Sequence, residues 1–200
     1  MILDTGETVR LTIPGGRHVH IRPLRLGEDR AVRELFVHLS PRTRYLRFLS
    51  PTSTLTESLL RTLTDVDDLR RFALVAELDE CDSGNIVGLG NVIAGDEGRS
   101  EVGLVVADAW QHRGIGAALA VRLLRAAEAR GHERFVIHEH WDNPALRPLL
   151  RRVGEVVSTS IRSGVAEITF VRRRSHEEQA YERILASKGG LLSTREDYDS

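Results

Sequence analysis

At 200 residues the chain is long enough to bury one substantial core and short for two. Its 41% hydrophobic and 28% charged residues exclude a mostly disordered chain, and a net charge of −1 excludes nucleic-acid binding driven by bulk electrostatics. One cysteine, Cys81, cannot close an intramolecular disulfide, and no apolar run approaches membrane-spanning length. The first nine residues hold no signal-type core, so a soluble cytoplasmic protein with no membrane partner is expected.

Residues 9–26 predict two short strands around Pro14-Gly15-Gly16, with Val19 and Ile21 on one face. A helix follows with Val32, Leu35, Phe36 and Leu39 on one side. Ser40-Pro41 caps a second over 41–48, and Thr56 caps a third over 56–63 with Leu59, Leu60 and Leu63 as its apolar side. Strands are predicted over 71–78, 85–94 and 100–107, joined through polar turns at 81–84 and 95–98. Beyond Gly131 come a strand over 135–138, a helix over 143–153 closed by Gly154, a hairpin of 155–160 with 165–171, and a helix over 175–186. The order is a helical insertion, a meander, then a crossover helix and strand. It predicts an α/β fold with a mixed sheet in a single domain over 1–188 (core 19–173), followed by a mobile tail at 189–200.

The stretch 103–131 organises the rest. Leu104 to Ala107 is an apolar run suited to a strand buried on both faces, and Gly114 and Gly116 stand one residue apart just after it. From Ile115 an amphipathic stripe runs through Leu119, Leu123, Ala126 and Ala127 to Arg130, with Gly131 as a left-handed cap. A strand feeding a bare glycine turn at a helix N-terminus gathers unpaired N–H groups and the positive end of the helix dipole, which suits a pyrophosphate.

This Gln111-x-x-Gly114-x-Gly116 pattern, between an apolar strand and a long helix, resembles the acyl-CoA loop of the GCN5-related N-acetyltransferase (GNAT) superfamily. The resemblance implies that the main chain of Leu104, Val105 and Val106 pairs with the pantetheine arm of acetyl-CoA. It implies too that the N–H groups of His112, Arg113, Gly114, Ile115, Gly116 and Ala117 cradle its pyrophosphate. Arg113 either adds charge there or is a solvated residue at the helix start.

Glu101 opens the same strand. On residues alone it is either a surface glutamate or a partly buried acid whose pKa desolvation raises toward that of a useful base. The run 96–111 is similar to bacterial protein lysine acetyltransferases of the Pat type, which implies that Glu101 is the general base. Leu39-Ser40-Pro41-Arg42-Thr43-Arg44-Tyr45-Leu46-Arg47-Phe48 resembles a segment of the same subgroup. By residues alone this segment is a capped amphipathic helix with Tyr45 and Phe48 packed and its arginines solvated. By resemblance Tyr45 lies at the acceptor site, where it orients the amine or donates a proton. Asn143 to Gly154 resembles the superfamily's last motif, with Asn143 as a helix cap touching the cofactor, but Leu150 stands where a tyrosine is usual and Glu155 replaces an aromatic.

His18 with His20, and His138 with His140, share strand faces but lack a third ligand, so no metal is expected. Cys81 falls in a polar turn away from any histidine, and Arg172 to Arg174 read as a solvated strand end. The resemblance implies direct acetyl transfer from acetyl-CoA to a primary amine acceptor, a protein lysine. A small amine as acceptor, a non-catalytic acyl-CoA-sensing module and a homodimer stay open.

Overall fold

The computed structural model describes residues 8–79 and 85–174. The turn holding Cys81, the helix predicted over 175–186 and the tail at 189–200 lie outside them. The elements run β1 (Val9–Thr12), β2 (His18–Pro23), α1 (Asp29–Val37), α2 (Pro41–Phe48), α3 (Glu57–Thr64), β3 (Arg71–Leu78), β4 (Ile86–Ala94), β5 (Arg99–Val106), α4 (Ile115–Glu128), β6 (Arg134–His140), α5 (Leu146–Val153), β7 (Gly154–Arg162) and β8 (Val165–Arg172). Among the described residues one eight-stranded sheet takes the order β1-β2-β3-β4-β5-β6-β8-β7, and only the β5–β6 pair is parallel.

Helices cover the sheet on both faces. On one, α4 and α5 lay Ile115, Leu119, Leu123, Leu146 and Leu150 over Phe72, Val102, Phe135 and Phe170. On the other, α1 and α3 lay Val32, Leu35, Phe36, Leu60 and Leu63 over Val75, Leu89 and Val105. Strand β3 serves both layers, which is why residues 72–76 form an unbroken buried run where a one-sided strand would alternate. The buried stripe of α4 also takes in Ala120 and Leu124, wider than the sequence predicts. Fully burying each leucine there is worth about 2 kcal/mol.

Four details depart from expectation. Helix α4 ends at Glu128, and Gly131 at φ 88 closes the turn beyond it with its N–H on the Glu128 carbonyl. Strand β6 continues to His140, its last residues polar because they border the site. Helix α5 begins at Leu146 with Ala145 before it, so Asn143 does not cap it. Pro148 then falls in the first turn, where a missing N–H breaks no helical bond. Finally, Arg172 is not solvated: its guanidinium pairs with Glu128 at 2.5 Å, with its side chain 8% exposed.

Candidate active site

Strands β5 and β6 are in register over three pairs only, Arg99–Arg134, Ser100–Phe135 and Glu101–Val136. Beyond Glu101, β5 keeps its pairing with β4 as far as Val106 while β6 diverges, so a wedge opens between them. Ala107 donates its N–H to the Val87 carbonyl at 2.9 Å. The alternation of an antiparallel ladder therefore turns the peptide groups of Gly103 and Val105 toward β4, and those of Val102, Leu104 and Val106 toward the wedge. Two of the three residues expected to read a pantetheine arm, Leu104 and Val106, face the gap. Val105 instead pairs with Leu89 and buries its side chain in the α1–α3 layer.

At the wide end of the wedge the chain turns into α4. His112 at φ 59 and Gly114 at φ 86 both take left-handed backbone, which costs a non-glycine residue and suits glycine. The first helical bond runs from the Ala118 N–H to the Gly114 carbonyl at 3.0 Å, and no side chain caps the helix. The N–H groups of Ile115, Gly116 and Ala117 thus have no helical partner. The buried Ile115 side chain anchors this turn. Gln111 braces it: its amide donates to the Val106 carbonyl at 2.9 Å and to Thr43 Oγ1 at 3.3 Å. Arg113 folds back onto Trp110, 5.1 Å from the ring centre, and donates to the Ala109 carbonyl.

A residue missed by sequence reasoning ties this loop to α2. The Asp108 carboxylate accepts from the Ser40 N–H at 2.8 Å, Ser40 Oγ at 2.7 Å and Thr43 Oγ1 at 2.8 Å. Burial works against its charge, but these donors outweigh it and hold the Asp108 pKa below the ordinary value. The available signal was its position, three residues before Gln111 in the loop.

The narrow end of the wedge holds the candidate chemistry. Glu101 is not partly buried: its side chain is 56% exposed. The His138 ring lies beside it, with Nδ1 3.9 Å from Glu101 and Nε2 3.4 Å from Glu167. Arg47 enters this site from α2, so the solvated arginine of the capped-helix reading is wrong. It donates to Asn91 Oδ1 at 2.6 Å, and its guanidinium lies where a Cβ on Gly103 would stand. Burial lowers the Arg47 pKa, and the charges of Glu101 and Glu139 partly offset this. Burial raises the Glu139 pKa, while hydrogen bonds from the Asn143 side chain and the His140 N–H pull the other way. Asn143 also accepts the Ala145 N–H at 3.0 Å, so it serves a turn and a half-buried acid.

Tyr45 and Phe48 part company. Phe48 packs on Phe36, whereas Tyr45 is 40% exposed with its ring 5.7 Å from that of His140. Leu150 is buried in the α4–α5 layer. Among the described residues no group of three or more His, Cys, Asp or Glu side chains gathers as metal ligands.

The sequence profile of the acetyltransferase (GNAT) family matches residues 34–154, from α1 to the end of α5. The chain belongs to the GNAT family of acetyltransferases. Its sequence is 33% identical to acetyltransferase PA5475 of Pseudomonas aeruginosa over 146 residues, covering 72% of this chain and 78% of that one. Its fold matches the GNAT domain of S. lividans PAT at a TM-score of 0.73 and 21% identity, over 82% of this chain and 96% of that domain. It also matches yncA, a putative acetyltransferase from Salmonella typhimurium solved with its cofactor acetyl-CoA. There the TM-score is 0.61 and the identity 18%, over 79% and 95% of the two chains. The eight-stranded, mostly antiparallel sheet flanked by helices is thus the GNAT fold, and the protein is an acyltransferase of that family.

Proposed function

We propose that this GNAT acetyltransferase moves the acetyl group of acetyl-CoA directly onto a protein lysine side chain, with Glu101 as general base. The observation that carries the reading is the wedge itself. One end is the uncapped, glycine-turned start of α4, suited to a pyrophosphate, and the other is Glu101, the last residue β5 shares with β6. Leu104 and Val106 offer main-chain groups along the edge between them, as an added strand requires. Gln111, His112 and Arg113 shape the turn, while Gly114, Ile115, Gly116 and Ala117 supply its N–H groups. Asn143 holds the opposite wall.

Chemically, the Glu101 carboxylate takes a proton from the lysine ammonium, and the freed amine attacks the thioester carbonyl. The carbon–sulfur bond then breaks, and the nitrogen sheds its extra proton to solvent as the neutral amide forms. The departing thiolate is protonated from solvent, and Glu101 returns its proton to solvent. Leu150 offers no proton. Tyr45, exposed at the wedge mouth, orients the amine. The exposure of Glu101, His138 and Glu167, at 56%, 39% and 43%, supports a broad acceptor such as a folded protein over a small amine held in a deep pocket.

Thiol release with a panel of lysine peptides and small polyamines tests this. Turnover should favour the peptides, and Glu101→Gln should lower kcat about a hundredfold or more without loss of acetyl-CoA binding. Acetyl-CoA binding with no turnover on any amine would identify an acyl-CoA sensor, and a preference for polyamines a small-amine enzyme.

A further inference from the structure

The two edges of the sheet are unlike. At one end β1 has four residues with an arginine among them, and at the other β7 has nine. Among the described residues no strand pairs with the outer side of β7, and every residue from Glu155 to Arg162 is exposed. Glu155 stands at one end of that stretch, Arg162 at the other, and six uncharged residues lie between. Val156, Val157 and Ile161 among them are 54%, 60% and 59% exposed. A long edge rich in β-branched residues, with no internal charge and no proline, is a template for another strand.

The ladder with β8 fixes the face each side chain takes. Val156, Thr159 and Ile161 stand opposite Phe170, Ile168 and Ala166, all three in the core that α4 and α5 cover. Glu155, Ser158, Ser160 and Arg162 stand opposite Val171, Thr169, Glu167 and Val165, and so take the other face. The register shifts between Val156 and Ser158, which leaves Val157 as the extra residue of a bulge. With Val157 set aside, the strand is self-complementary about Thr159. Two copies laid antiparallel on a two-fold axis there set Glu155 against Arg162, Val156 against Ile161 and Ser158 against Ser160. Each pair shares one face and occurs twice. Sliding the copies by two residues sets Glu155 against Ser160 and Val156 against Thr159 instead, so charge and apolar contact select one register.

We propose that this edge is a dimer interface, where β7 pairs antiparallel with β7 of a second copy of the chain and joins two sheets into one. The occupant is a second copy because the strand matches itself, in charge and in face, around a single residue. Ser160, Glu167 and His138 stand abreast across β7, β8 and β6, so the second copy continues the face that carries His138 and Glu167. The interface holds whichever amine the enzyme acetylates.

Sedimentation velocity of the full 200-residue chain, from about 1 to about 100 µM, tests this. The wild type should form dimers over that range. Thr159→Lys sets two lysines against each other on the axis and should raise the dissociation constant about tenfold or more. Glu155→Arg alone and Arg162→Glu alone should weaken pairing to a similar degree, because like charges then meet. Mixed in equal amounts, those two variants should pair again, since every arginine then meets a glutamate. The altered residues are exposed, so the far-ultraviolet circular dichroism of each variant should match the wild type. A wild-type chain that stays monomeric throughout overturns the proposal. So does a dimer indifferent to Thr159→Lys, or a pair of folded charge variants that stay apart on mixing.

Discussion

The guanidinium of Arg47 occupies the space above Gly103 that any other residue would fill with its own side chain. A helix residue thereby reaches the strand that carries Glu101, two positions away on the same face. Gly103→Ala should evict it. The atom displaced is the far end of a flexible side chain, so the cost in stability is small, about 1 kcal/mol. Activity should suffer more: kcat/KM for the amine is expected to fall about tenfold or more, because the site loses a fixed positive charge between Glu101 and Glu139. Thiol-release kinetics beside a thermal melt would check this, and unchanged kinetics would remove Arg47 from the site.

Asp108 gives a second test. It joins the start of α2 to the loop before α4 through three charge-assisted hydrogen bonds, so Asp108→Ala should loosen the acceptor side of the wedge. The group is exposed, and the expected loss is about 1 kcal/mol at neutral pH. The sign with pH follows from its lowered pKa. The stabilisation is present above the ordinary value of 3.8 and fades as pH falls through the folded value. Urea midpoints of the variant and wild type should therefore converge on acidification, with KM for the amine raised at neutral pH.

These two residues show where the sequence was readable and where it was not. Local signals carried far: Ser40 and Thr56 cap α2 and α3 as their positions predict, and the apolar stripe of α4 faces the core. The glycine turn was legible because backbone freedom is written in residue type. Contacts across the sheet were not. Nothing near Arg47 in sequence says that a glycine more than fifty residues later leaves room for it. The exposure of Glu101 is not written in its sequence neighbours, and the half-buried acid of the site, Glu139, lies past the predicted end of its strand. Gly154 read as a helix stop, yet its backbone is extended and the reason for a glycine is the Phe170 ring, which a Cβ would meet at 2.5 Å.

The two ends of α4 form a controlled pair. Gly114 and Gly131 take nearly the same left-handed φ, 86 and 88, with no atom within 4 Å of the place a Cβ would take. Alanine at either position should therefore cost a similar 1–2 kcal/mol, roughly the penalty for that backbone. Only Gly114 stands at the proposed pyrophosphate turn. Gly114→Ala should raise KM for acetyl-CoA about tenfold and Gly131→Ala should leave it unchanged. Equal effects on both would mean that the turn does not hold the cofactor.

Glu139 supplies a pH test of opposite sign to Asp108. Burial raises its pKa above the ordinary value of 4.5, against the hydrogen bonds of Asn143 and the His140 N–H and the charges of Arg47 and His140. The folded protein then holds this proton more tightly than the unfolded chain does. The group's contribution is fully favourable below the unfolded value and is lost as pH rises through the folded one. Glu139→Gln keeps the shape and removes the titration. The stability of the variant relative to wild type should therefore improve as pH rises from 4.5, whereas for Asp108→Ala it improves as pH falls below 3.8. Denaturant midpoints across that range separate the two, and a Glu139→Gln difference that did not move with pH would show that its carboxyl titrates alike in both states.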